Sequence, residues 1–128
     1  MNDPRDLSGV WYGRYVDRHG GQNTSFIALF DEKGGHVSGT ITEPADGAGG
    51  IRRATVLGTR NGASVGFVKQ YHGRWTHAVH YSGAVSEHGL EANGTWQVDG
   101  LRGSFVMQRE KFSAEELADE REDVLNLN

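Results

Sequence analysis

The chain has 128 residues, enough for one domain around one core. Its 19 glycines stand beside 2 prolines and no cysteine, which excludes a Pro/Gly linker, disulfides, thiolate catalysis and cysteine-based zinc sites. The net charge of -4 is uneven: residues 110–128 carry seven acids against Lys111 and Arg121, which leaves +1 for residues 1–109 and no basic stripe for nucleic acid.

Met1-Asn2-Asp3-Pro4-Arg5-Asp6 has no apolar leader, and no stretch approaches the ~18 apolar residues of a membrane span, so the expectation is a soluble, cytoplasmic protein without a membrane partner. From Leu7 onward, apolar and polar residues alternate with period two. This pattern predicts strands at Ser8–Asp17, Thr24–Phe30, His36–Glu43 and Arg53–Arg60, then Ala63–His72, His77–Val85, Leu90–Val98 and Leu101–Arg109. Asn61-Gly62 and Asp99-Gly100 are expected to supply the positive φ angles of two-residue type I′ hairpins. Asp31-Glu32-Lys33-Gly34-Gly35 and Ser86-Glu87-His88-Gly89 read as short hairpin loops, and residues 44–50 as a longer connection. No gap holds a crossover helix, so each strand pairs with the next. The expected fold is all-β, an eight-stranded antiparallel up-and-down barrel over residues 7–109. Beyond Arg109 the period becomes 3.6. Ser113-Ala114-Glu115-Glu116 forms a capping box with a Phe112–Leu117 staple, and a short C-terminal helix is expected over residues 113–125 within the single domain 1–128.

The phase that buries most apolar area turns Trp11, Gly13, Tyr15, Phe26, Ala28, Phe30, Val37, Gly39, Ile41 and Glu43 inward, followed by Ala54, Val56 and Gly58. In the second half the inward set is Val65, Phe67, Lys69, Tyr71, His77, Val79, Tyr81, Gly83, Leu90, Ala92, Gly94, Trp96, Leu101, Gly103, Phe105, Met107 and Arg109. Alternating strand direction then sorts the polar members. Glu43, Lys69, Tyr71, His77 and Trp96 gather where strand one finishes, at an open end. Trp11 and Arg109 meet at the other end, where a guanidinium can lie over the indole and plug the barrel.

Gly9-x-Trp11 near the start and Arg109 late in the last strand resemble the mark of the calycins, the lipocalin, fatty-acid-binding and avidin group. Gly9-Val10-Trp11-Tyr12, Thr24-Ser25-Phe26-Ile27, Gly39-Thr40-Ile41, Val65-Gly66-Phe67 with Lys69 and Tyr71, His80-Tyr81-Ser82-Gly83 and Thr95-Trp96 are similar to avidin strands. That resemblance implies an aromatic ligand box at Phe67, Tyr81 and Trp96. It also implies polar biotin contacts at positions that here are Gly13, Ile41 and Glu43, which lack the required donors. The start Gly9-x-Trp11-x-Gly13-x-Tyr15 partly resembles the haem-carrying nitrobindins. The whole pattern looks like an uncharacterised bacterial family of avidin-like barrels, which names no ligand.

Two readings stand for each candidate group. Phe67, Tyr81 and Trp96 could wall a ligand cavity, for which the interior glycines leave room, or could fill a solid barrel. Glu43, Lys69 and His77 could orient a polar head or supply acid–base groups, or could form a rim ion pair. His19, His36, His72 and His88 fall in or beside turns, and His77 and His80 have opposite phase, so no metal site is expected. The leading reading is noncatalytic binding of a small, partly aromatic or amphipathic molecule, not biotin, by Tyr15, Glu43, Phe67, Lys69, Tyr71, His77, Tyr81 and Trp96, with Trp75 as a lid and no cofactor. The alternatives are a barrel enzyme using Glu43, Lys69 or His77, and an interaction module with no internal ligand. A homo-oligomer is left open.

Overall fold

A computed structural model describes residues 3–17, 23–44, 50–73 and 78–109. The expected C-terminal helix at 113–125, together with His19, Trp75 and His77, lies outside the described residues. Eight strands follow one another: β1 Gly9–Asp17, β2 Asn23–Lys33, β3 His36–Pro44, β4 Ile51–Asn61, β5 Ser64–Tyr71, β6 Ala78–Val85, β7 Glu91–Val98 and β8 Leu101–Gln108. Each pairs antiparallel with its successor, and β8 returns to β1, from Tyr12 opposite Gln108 to Asp17 opposite Gly103, so the sheet closes into an up-and-down barrel. Among the described residues no helix is long and apolar enough to cross a membrane.

Period-two alternation puts one row of side chains inside. Trp11, Ala28, Val56, Ala92 and Met107 are fully buried, and Val37, Ile41, Phe67, Tyr81 and Phe105 nearly so. Leu90 and Leu101 depart from the expected core at 43% and 64% exposure. Both have the inner phase, but Leu90 precedes β7 and Leu101 directly follows a hairpin turn, where the strands run beyond the packed interior. Leu7 and Val85 join the core instead.

The turns explain two boundary differences. Gly34 and Gly35 both have positive φ, so the β2–β3 turn needs only these two residues, and Asp31, Glu32 and Lys33 belong to β2 rather than to a loop. Between β4 and β5, Asn61 pairs with Ser64 and the turn is Gly62-Ala63 with positive φ at Gly62, the type II′ pattern, one residue later than expected. Asp99 and Gly100 both have positive φ, as the type I′ reading requires.

The closed end is built around Trp11. The Arg109 guanidinium lies 4.5 Å from the indole centroid, and its nitrogens donate to the carbonyl oxygens of Ser8 at 2.6 Å and Gly89 at 2.8 Å. The Trp11 Nε1–H donates to the Leu7 carbonyl at 2.9 Å. A second, unforeseen ion pair lies nearby: Arg60 holds Glu32 through Nε at 2.6 Å and Nη2 at 2.9 Å, and also reaches Asp3 at 2.8 Å.

The interior glycines do not leave the room expected of them. A Cβ at Gly13 would overlap the Phe26 ring, and one at Gly103 would overlap the Trp96 indole and the Val16 carbonyl. At Gly39, Gly58, Gly83 and Gly94 the adjoining strand backbone itself occupies that position. These glycines let strands approach and curve. Aromatic rings pack the middle of the barrel, with Phe67 stacked on Tyr81 at 4.7 Å and 10° and the Phe105 ring edge-on to Tyr81 at 5.2 Å.

Candidate functional site

The open end gathers the last inner residues of β1, β3, β5 and β7 with the first of β4, β6 and β8, because antiparallel neighbours finish and start on the same side. Glu43 is at its centre. One carboxylate oxygen accepts hydrogen bonds from the Tyr15 hydroxyl at 3.0 Å, the Tyr71 hydroxyl at 2.7 Å and Arg52 Nη2 at 2.8 Å, and the other accepts from Lys69 Nζ at 3.2 Å. The Glu43 and Lys69 side chains are each 1% exposed, so their pair belongs to the interior and not to the rim.

Lys69 is also enclosed by aromatic faces. Its Nζ lies 4.6 Å from the ring centroids of Tyr15 and Tyr71 and 5.3 Å from that of Tyr81. Burial pushes the ammonium down to about 8, with the Glu43 carboxylate opposing the shift and Arg52 adding to it. Burial, and then the Glu43 charge and hydrogen bond, hold the Tyr15 and Tyr71 hydroxyls above their ordinary range, and burial does the same for Tyr81.

Beside this cluster is a cavity of about 260 Å³. Tyr15, Lys69, Tyr71, Tyr81 and Trp96 line it, five of the eight expected positions. Val79 and Val98 complete the wall, with Asp99 and Leu101 beside them at the β7–β8 turn. Glu43 sits behind Tyr15, Tyr71 and Lys69 rather than on the wall, and Phe67 lies deeper, covered by Tyr81. Trp96 is fixed by an Nε1–H bond to the Val16 carbonyl at 2.9 Å and packs edge-on to Tyr15 at 6.0 Å. A larger concavity of about 770 Å³ crosses the outer face beside Tyr12, Arg14, Ile27, Pro44 and Val106; of the expected site residues that are described, only Glu43 borders it.

Arg52 was not anticipated. It has the inner phase of β4, but it precedes the predicted start of that strand, so alternation extended to Ile51 would have included it. Among the described residues no group of histidine, aspartate or glutamate side chains could hold a metal ion.

The chain is similar to a redesigned β-barrel, with 12% identity, a TM-score of 0.73 and coverage of 85% of this chain and 96% of that one. It is also similar to a de novo designed fluorescence-activating β-barrel, with 15% identity, a TM-score of 0.59 and coverage of 86% and 100%. The likeness is one of fold. No protein-family profile and no curated protein matches the chain.

Proposed function

We propose that the protein binds a small, flat, partly aromatic molecule in the open-end cavity, without turning it over, and that biotin is not this molecule. The observation that carries the reading is the cavity itself, about 260 Å³ beside four aromatic side chains and one cation at the open end of the barrel. A designed barrel described as fluorescence-activating makes a small-molecule role compatible with the fold. A single ligand ring burying roughly 150 Å² would gain about 4 kcal/mol at ~25 cal/mol per Å², which corresponds to dissociation near 1 mM. Tighter binding therefore needs a directed contact with Lys69. The acid–base alternative is weaker, because Glu43 and Lys69 already engage each other and Glu43 does not face the cavity.

Native mass spectrometry of gently purified protein tests the reading. A bound small molecule is expected, and Val98→Trp, which adds bulk to the cavity wall without removing a core hydrogen bond, should abolish it. Leu57→Ala on the outer face should leave it in place. Retention in the Val98→Trp protein would move the ligand elsewhere.

A further inference from the structure

Lys69 combines features that a structural ion pair does not need. It borders a cavity, although its side chain is 1% exposed, and it is the fourth donor to a carboxylate that already accepts from Tyr15, Tyr71 and Arg52. Loss of its proton would therefore leave Glu43 hydrogen-bonded and still paired with a cation. It would also relieve an enclosed site in which two cations face one carboxylate among the described residues.

We propose that Lys69 captures small aromatic aldehydes covalently, as an imine formed in the open-end cavity. The inference rests on the cavity reading above and names the ligand class. The neutral amine adds to the carbonyl carbon, forming the C–N bond while the C=O π pair moves to oxygen. A proton passes from nitrogen to that oxygen to give a carbinolamine. The nitrogen lone pair then forms C=N as the C–O bond breaks and one water leaves. No oxidant or reductant is required. When protonated, the imine keeps the positive charge beside Glu43, where the ammonium stood at 3.2 Å, while the ring occupies the space between Tyr15, Tyr71, Tyr81 and Trp96.

With its ammonium near 8, Lys69 has a few hundredfold larger unprotonated fraction at neutral pH than a lysine at the usual 10.5. The chain offers a clean comparison, because its other lysines are Lys33, 85% exposed on β2, and Lys111.

The protein is incubated with benzaldehyde, reduced with sodium cyanoborohydride, digested and mapped. One benzyl group is expected on Lys69, in large excess over Lys33, Lys111 and the N-terminal amine. Glu43→Gln, which removes a charge that favours the ammonium, should move the pH midpoint of labelling downward. Benzyl alcohol, which has the same ring and no carbonyl, reports the cavity separately: it should perturb Trp96 in wild type and in Lys69→Arg alike, whereas Lys69→Arg should abolish site-selective labelling. Benzyl alcohol bound at Trp96 with label absent from Lys69, or spread evenly over the amines, overturns capture but not the cavity. Failure of both compounds to bind overturns the cavity reading as well.

Discussion

Among the described residues Glu43 shares two oxygens among four donors, two of them the cations Lys69 and Arg52. Lys69 releases its proton at about 8 in the fold and at 10.5 in the unfolded chain. Between those values the unfolded chain binds more protons, so the contribution of this group to stability rises with pH. Below about 8 both states are protonated and the full penalty is present, roughly 3 kcal/mol at 1.36 kcal/mol per unit. Tyr15, Tyr71 and Tyr81 act in the opposite sense at higher pH. Their folded values are raised, so stability falls above about 10 as the unfolded chain loses phenolic protons that the fold retains. Chemical denaturation should show stability climbing from pH about 8 to about 10 and then dropping. Lys69→Met should flatten the climb and stabilise the protein at neutral pH, since Glu43 keeps Arg52 and two hydroxyls. A wild-type curve flat over that interval would contradict this account.

At the level of strands and turns, the closed end joins elements far apart in the chain. Trp11 on β1 is fully buried, bonds to Leu7 and carries Arg109 from beyond β8. Trp11→Ala should therefore cost roughly 3–5 kcal/mol through a lost core aromatic, as measured by urea denaturation. A loss under about 1 kcal/mol would mean that the end can collapse around the gap. Trp11, Arg109, Glu43 and Lys69 were legible in the sequence because period two assigns a face and antiparallel order assigns an end. Glu32 and Arg52 were legible in principle and were missed, because β2 and β4 continue beyond the residues where apolar alternation stops; Arg60 lies within the predicted fourth strand on its inner phase, but its partner Glu32 falls in what reads as a loop. Strand ends that bury ion pairs carry no hydrophobic signal. The placement of the cavity was not legible: it depends on Phe26 and Trp96 folding over Gly13 and Gly103, which is a matter of rotamers in three dimensions.

For the barrel as a whole, the proposed exclusion of biotin as the ligand rests on what fills the interior. The space beside Gly13 is taken by the Phe26 ring, and Ile41 offers no donor, so a ureido group placed there would leave hydrogen bonds unmade at about 1–3 kcal/mol each. Calorimetry should show weak or no heat of biotin binding. Gly13→Asn should destabilise the barrel by displacing Phe26 and should not create affinity. Tight stoichiometric binding to the unaltered protein would refute this.

The β8–β1 seam also bears on how quickly the barrel can form. Seven of its eight strand pairings are between consecutive strands, and only this one requires residues near opposite ends of the chain to find each other. Such a contact incurs the largest loop-closure entropy and is expected to form last. The Arg109 side chain nevertheless reaches to 3.4 Å from the Pro4 carbonyl, so a linker long enough to span an arginine side chain could join the two sides of the seam. A circular permutant linked there and opened at Gly62-Ala63 would make β8–β1 a local hairpin and leave β4–β5 as the distant pair. If seam closure limits folding, the permutant should change the folding rate while the unfolding rate stays nearly constant, and stopped-flow refolding would time the step that completes the barrel.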